Sequence, residues 1–302
     1  MAATGSYTCL PQHMPLWKPV QVGINDKIGR FSTKTYPFTR KDFWYRVSAA
    51  IVVSASESLV SVDSNGLLGD FASLFRLEWD SEAIEREIVE AAPELSTYLG
   101  AFSGLRVMRP SCANESFFSF LCTPNNNLTR IVPMVRYLAT YGTIVDEVDG
   151  KPIHRFPGPE IVASIPEADL RAKAFGYRGA TIPAVGLQVL ERGDGWIESL
   201  KDVSYEEAHG ELCQLKGVGP KLADCIALFA LEHTEAIPID THMWQAYVRL
   251  YRPEWQDKAI TDNRYHEAAS FLRAKFGKNG GWAQQYLFYD NMMRRRAGVL
   301  GD

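Results

Sequence analysis

Between Leu215 and Trp244 the chain carries a punctuation that few folds accommodate. It reads Gly217-Val218-Gly219-Pro220-Lys221, then a mostly apolar run, then Pro238-Ile239-Asp240-Thr241-His242. Two glycines one residue apart predict a tight hairpin, since each can take a positive φ without steric cost. Pro220 predicts the first residue of a helix, where its missing N–H costs nothing. The hairpin then presents bare backbone N–H groups and the positive end of a helix, which together seat a phosphate. Lys221 follows in the first helical turn, where the dipole disfavours a cation. The expectation is a lowered pKa and a neutral amine, which is a nucleophile. Asp240 comes 19 positions later, at the expected start of the next helix. Each feature also has a plainer reading: an ordinary loop, a solvated lysine, a helix N-cap. Together, a phosphate seat, a lysine and a carboxylate point to an enzyme acting on nucleic acid.

Composition sets the frame for that reading. The chain has 302 residues, 46% of them hydrophobic, enough for a sizeable core in one large lobe or two to three smaller ones. Its net charge of −4 opposes the usual basic footprint of a nucleic-acid binder. Backbone amides and helix ends hold phosphates without net charge, however, and only local charge acts within a Debye length. The acidic residues gather elsewhere, at 80–90 and 146–149. Cys9, Cys112, Cys122, Cys213 and Cys225 contain no Cys-x-x-Cys pair and no close cluster with histidine, so no metal is expected. An odd number of scattered cysteines suits free thiols in a reducing compartment, and for an enzyme acting on nucleic acid the expected location is intracellular, with DNA. The first residues do not read as a signal peptide, and no apolar run approaches the roughly 18 residues of a membrane span.

Along the chain, residues 1–70 are rich in β-branched and aromatic residues broken by turns. Trp44–Ser54 reads as one strand, Ser58–Val62 as a shorter one, and Asp63-Ser64-Asn65-Gly66 as a turn. From Trp79 the apolar period becomes helical. Helices are predicted at Glu82–Ala91, Ser116–Cys122, Leu128–Tyr141, Pro166–Phe175, Ile182–Arg192, Ser204–Leu215, Thr241–Leu250, Tyr265–Phe276 and Trp282–Arg295, with an exposed hairpin at Gly142–Pro159. The expected fold class is α+β. A small N-terminal antiparallel sheet with a connecting helical segment occupies 1–105, and a helical domain occupies 106–302.

The segment from Leu215 to Tyr251 resembles the helix–hairpin–helix and following Gly/Pro…Asp loop of base-excision DNA glycosylases. Gly-Val-Gly-x-Lys-x-Ala-Asp-Cys followed by Pro-x-Asp-x-His-Met-Trp is specific to the 8-oxoguanine DNA glycosylase branch. The likeness spans most of residues 105–290. It includes Phe117–Cys122 leading into Asn125-Asn126-Asn127-Leu128-Thr129-Arg130, then Gly176-Tyr177-Arg178, Ser204–Ala208 and Gly281-Trp282-Ala283-Gln284. The four-cysteine run of iron–sulfur members of the superfamily is missing.

The resemblance implies roles. Lys221 attacks the sugar, and Asp240 stabilises the cationic transition state. Gly217, Val218 and Gly219 seat a phosphate, and His242 bonds another or orients its loop. Asn125 fills the gap left by an extruded base, Arg130 and Arg178 read the base left behind, and Tyr177 wedges beside it. Cys225 and Phe288 sandwich the damaged purine while Gln284 bonds its edge. Spacing is compatible with this: Cys225 is four residues after Lys221, and Phe288 four after Gln284, each pair on one helix face. The same residues have structural readings, with Cys225 and Phe288 as core, one of Asn125–Asn127 as a cap before Leu128, Arg178 as a surface residue after a helix, and His242 as a packed loop histidine.

Two departures stand out. Lys216 replaces the proline common before the hairpin glycines. The family's N-terminal Gly-Gln-Ser/Ala-Phe-Arg-Trp stretch, whose glycine carbonyl detects the lesion, is absent; Thr35–Thr39 and Asp42–Arg46 are the nearest segments and offer no glycine in register. The expected activity is excision of 8-oxoguanine opposite cytosine from double-stranded DNA by a monomer without a cofactor, through a Schiff base and β-elimination. The alternatives are a glycosylase for another lesion, such as an alkylated purine, and a non-catalytic DNA-binding module.

Overall fold

The computed structural model describes the short strands at 23–25, 30–32, 44–46, 52–54 and 59–61, residues 73 and 76, and the chain from 78 to 296 except 103, 111, 149 and 150. The expected turn at Asp63–Gly66 and the Thr35–Thr39 segment lie outside the described residues. In the N-terminal part, β1 (Gly23–Asn25), β2 (Arg30–Ser32) and β5 (Leu59–Ser61) form an antiparallel sheet in that order, and β3 (Trp44–Arg46) pairs with β4 (Val52–Ser54). The Trp44–Ser54 run is therefore not one strand. Trp44 pairs with Ser54 and Arg46 with Val52, so the chain reverses between them. Pairing its own two halves gives each a partner for its backbone groups.

The remainder is helical, apart from the hairpin of β6 (Ile144–Val148) and β7 (Lys151–His154). Helices α1 (Ser81–Ala91) and α2 (Ser96–Ala101) pack against the C-terminal helices α12 (Asp262–Phe276) and α13 (Gly280–Arg296). Between them run α3 (Ala113–Leu121), α4 (Leu128–Ala139), α5 (Pro159–Ser164), α6 (Glu167–Ala172), α7 (Arg178–Arg192), α8 (Trp196–Ser199), α9 (Tyr205–Cys213), α10 (Pro220–Phe229) and α11 (Thr241–Tyr251). The long expected helices form. The short helices α2, α5 and α8 were not legible, because six residues or fewer give too little period to read. The helix expected at Pro166–Phe175 ends at Ala172, because Ala174 turns left-handed with φ +63°.

The apolar run after Lys221 is the centre of the body. Every residue from Leu222 to Leu231 is buried, so beyond Pro220 and Lys221 α10 has no solvent face. α9 packs on one side of it and α3 on another, with Phe120 stacked on Phe229. A helix surrounded this way buries apolar side chains worth about 1.5–3 kcal/mol each for the larger ones. The first turn of α13 sits directly against it. The Gly281 N–H donates to the Thr234 carbonyl at 2.6 Å, and a Cβ on Gly281 would lie 2.2 Å from Leu228 Cδ1. That close approach requires glycine and fixes where Gln284 and Phe288 stand relative to α10.

α10 also buries a carboxylate. Asp224 is fully buried and accepts hydrogen bonds from Tyr205 Oη at 2.5 Å and from Tyr265 Oη. Arg273 Nη1 donates to Tyr205 Oη at 3.0 Å. Both Asp224 oxygens are thus satisfied, which a buried carboxylate requires. α9, α10 and α12 are joined at one point by side chains that cannot be exchanged for apolar ones singly.

Candidate active site

The hairpin between α9 and α10 is anchored from below. Leu215 and Val218 are buried, and the Val218 N–H donates to the Leu215 carbonyl at 3.1 Å. The Lys216 N–H donates to Gln188 Oε1 on α7 at 2.8 Å. Of the two glycines only Gly217 takes positive φ, +76°; Gly219 has φ −91° and caps α10, with Pro220 as its first residue. Val218 and Lys216 therefore spend their N–H groups internally. The N–H groups of Gly217 and Gly219 have no acceptor among the described residues. Nothing lies within 4 Å of a Cβ built on Gly219, so its small size serves clearance on the open side of the hairpin.

Lys221 sits in the first turn of α10, with Cys225 one turn further along the same helix. Its pKa is raised above the ordinary lysine value, not lowered as the helix-dipole argument predicts. The Cys225 sulfur in its anionic form contributes most, burial opposes it, and Asp240 adds a further raising charge. Burial pushes the Cys225 thiol itself up to about 11, with Lys221 drawing it down.

Asp240 is the N-cap of α11, with Oδ1 accepting the Met243 N–H at 2.9 Å. The plain capping role is real, and it orients the carboxylate whose charge reaches Lys221, Cys225 and His242. His242, in the first turn of α11, stands edge-on to the Phe288 ring at 5.2 Å. Burial lowers its pKa against the raising charge of Asp240. Gln284 is buried on α13, with its Nε2 3.5 Å from the Pro238 carbonyl and its Oε1 accepting from Gln285. Lys221, Cys225, Asp240, His242, Gln284 and Phe288 thus converge from α10, α11 and α13.

A second group forms around the asparagine turn. Asn127 is the N-cap of α4, its Oδ1 accepting the Arg130 N–H at 3.3 Å, and Asn126 Nδ2 donates to the Cys122 carbonyl at 3.0 Å. Asn125 is exposed, as Asn127 is, and takes φ +48°. Arg178 is not a surface arginine: it is 4% exposed and donates to the Pro124 carbonyl and, at 3.5 Å, to the Phe175 carbonyl. Its guanidinium lies over the Tyr177 ring at 4.6 Å, and Tyr177 Oη donates to Pro124 O at 3.2 Å while the ring is 52% exposed. Arg130 Nη2 donates to the Ala174 carbonyl at 3.2 Å. Each of the two arginines is thus occupied by backbone carbonyls, Arg130 by Ala174 and Arg178 by Pro124 and Phe175.

Three residues were not singled out in the sequence. Gln188 holds the hairpin, Asp224 ties α10 to its neighbours, and Asn291 bonds His242. Asn291 had a signal, since it lies seven residues after Gln284 and three after Phe288, on the same helix face. Gln188 had none, because its partner is a backbone group 28 residues away.

Two helices joined by a Gly-Val-Gly hairpin, with a lysine in the second helix and an aspartate capping the next, define a helix–hairpin–helix architecture. No protein-family model matches the chain. It is 38% identical over 188 residues to N-glycosylase/DNA lyase OGG1 of Arabidopsis thaliana, covering 61% of this chain and 51% of that protein. It is 30% identical over 201 residues to N-glycosylase/DNA lyase of Saccharomyces cerevisiae, covering 58% and 54%. The chain thus spans about half the length of these two curated relatives. Among solved structures, the Clostridium acetobutylicum 8-oxoguanine glycosylase/lyase, in complex with double-stranded DNA containing cytosine opposite 8-oxoguanine, superposes with a TM-score of 0.68 at 26% identity, covering 82% of each chain. The chain is thus similar to N-glycosylase/DNA lyases and to an 8-oxoguanine glycosylase/lyase of solved structure.

Proposed function

We propose that this chain is a bifunctional DNA glycosylase and abasic-site lyase that removes 8-oxoguanine opposite cytosine. The observation that carries the reading is the convergence of Lys221, Cys225 and Asp240 behind a hairpin with two unspent N–H groups. A binding module needs the hairpin but neither the lysine nor a carboxylate acting on it. The Gly217 and Gly219 N–H groups take a DNA phosphate. Asn125 enters the stack vacated by the target nucleotide, which offsets part of the few kcal/mol that extrusion costs. The base enters between Cys225 and Phe288, and the Gln284 amide turns from Pro238 and Gln285 to its Watson–Crick edge, offering both a donor and an acceptor.

Lys221 Nζ, having lost a proton, attacks C1′; the glycosidic bond breaks and the base departs with the electron pair and takes up a proton. Opening of the sugar ring gives the Schiff base. Loss of the C2′ proton then expels the 3′ phosphate by β-elimination. Asp240 stabilises the positive charge that develops on the sugar. The division at residue 105, the monomeric state and the independence from any cofactor belong to the same proposal. Among the described residues, no helix is long and apolar enough to cross a membrane.

The test is a set of duplexes each carrying one defined lesion. The expected result is release of 8-oxoguanine far faster than guanine. Release of alkylated purines instead would transfer the assignment to that alternative. Gln284→Ala should lower 8-oxoguanine excision more than cleavage of a preformed abasic site, where no base is read. Equal losses on both substrates would count against Gln284 as the reader.

Arg130 and Arg178 set the preference for the opposite base. Replacing either with alanine should reduce discrimination of cytosine over adenine by about 1–3 kcal/mol, the scale of a bidentate base contact. The two should differ in stability. Arg178→Ala frees the Pro124 carbonyl and lowers the melting temperature, whereas exposed Arg130→Ala leaves it nearly unchanged. A uniform loss of affinity with unchanged base preference would show phosphate contact only.

A further inference from the structure

Asn291 on α13 is fully buried and makes three side-chain contacts. Arg249 Nη1 donates to its Oδ1 at 3.3 Å. A guanidinium has only donors, so this contact decides which end of the amide faces which neighbour. Arg249 is itself held by Asp290, which lies 3.4 Å from Nη2 and also accepts from Arg294 Nε at 2.7 Å. The Asn291 Nδ2 then faces Gln245 Oε1 at 3.0 Å and His242 Nδ1 at 3.4 Å. Two amide hydrogens meet two acceptors. His242 Nδ1 must therefore carry a lone pair, and the proton of the neutral ring sits on Nε2.

We propose that Asn291 is a positioning residue that fixes His242 as the neutral Nε2–H tautomer, so that the ring donates from Nε2 to an anionic oxygen of bound DNA. The nature of that oxygen rests on the glycosylase reading; the tautomer does not. The charged groups facing His242 are Asp240 from the residues before α11 and Arg295 from α13. Burial and Arg295 favour the neutral ring and Asp240 opposes them. A doubly protonated ring would also set Nδ1–H against the Asn291 amide hydrogens. An amide at position 291 thus does what a carboxylate there would not: it accepts no proton from Nδ1.

The experiment is nitrogen NMR of the full chain labelled at its six histidines, with the His242→Gln spectrum assigning the ring. The expected wild-type result is an unprotonated Nδ1 and a protonated Nε2 across about pH 6 to 8. Asn291→Asp should protonate Nδ1 and raise the titration midpoint of His242. Affinity for a duplex carrying an abasic-site analogue should be flat with pH in the wild type, and in Asn291→Asp should strengthen several-fold as pH falls from about 8 to 6. A proton on Nδ1 in the wild type overturns the proposal, and so does an Asn291→Asp protein in which tautomer, midpoint and pH dependence are unchanged. If that variant does not fold, the wild-type spectrum decides alone. Failure to bind the duplex with the expected wild-type tautomer would overturn the donation to DNA and the glycosylase reading, not the tautomer assignment.

Discussion

Lys221→Gln abolishes the covalent protein–DNA adduct that a hydride reductant traps during turnover, and lowers strand cleavage by at least about 10³-fold. The argument is chemical before it is structural. A Schiff base needs a primary amine, and glutamine has none. Lys221 is the amine that stands in the first turn of the central helix, one turn before Cys225 and under the charge of Asp240. Glutamine keeps much of the length and polarity of the side chain, so circular dichroism and melting should match the wild type. A Lys221→Gln protein that still traps DNA would sink the assignment. The raised pKa adds a second, independent sign. Attack requires the neutral amine, whose fraction grows as pH rises toward the folded-state value, so the wild-type rate should climb through the alkaline range. A rate that is flat there would place the limiting proton elsewhere.

Asp240→Asn keeps lesion binding and lowers the rate of base release by on the order of 10²–10³-fold, the scale on which a group aimed at developing charge acts. The choice of asparagine separates two roles that share one side chain. Asparagine caps helices about as well as aspartate, so the bond to the Met243 N–H survives. What is lost is the negative charge. That charge also raises the Lys221 pKa, so the alkaline limb of the variant's pH profile should move to lower pH. Single-turnover rates and binding to a non-cleavable duplex measure the two effects separately. Weakened binding with normal turnover would leave only the cap.

The elements that sequence determined are those whose signal is local. Pro220 as first residue of α10 and Asp240 as cap of α11 follow from the backbone chemistry of single residues. The long helices follow from apolar period, and the ordering of Lys221, Cys225 and Asp240 from spacing alone. Tertiary structure decided what depends on partners distant in sequence. It reversed the Lys221 shift: Cys225 raises the lysine most, burial opposes it, and the charge of Asp240 arrives from the cap of another helix to raise it further. It buried Arg178 against Pro124, 54 residues away, where sequence alone suggested solvent or a base. It divided the three asparagines, giving Asn127 to the cap, Asn126 to Cys122 and leaving Asn125 exposed. And it set Asn291 beside His242 across 49 residues, which fixes a proton's position that no single segment encodes. Local dihedral preferences and periodicity are properties of a segment. Electrostatic shifts and hydrogen-bond polarity are properties of a packed neighbourhood, and they exist only once α10, α11 and α13 have met.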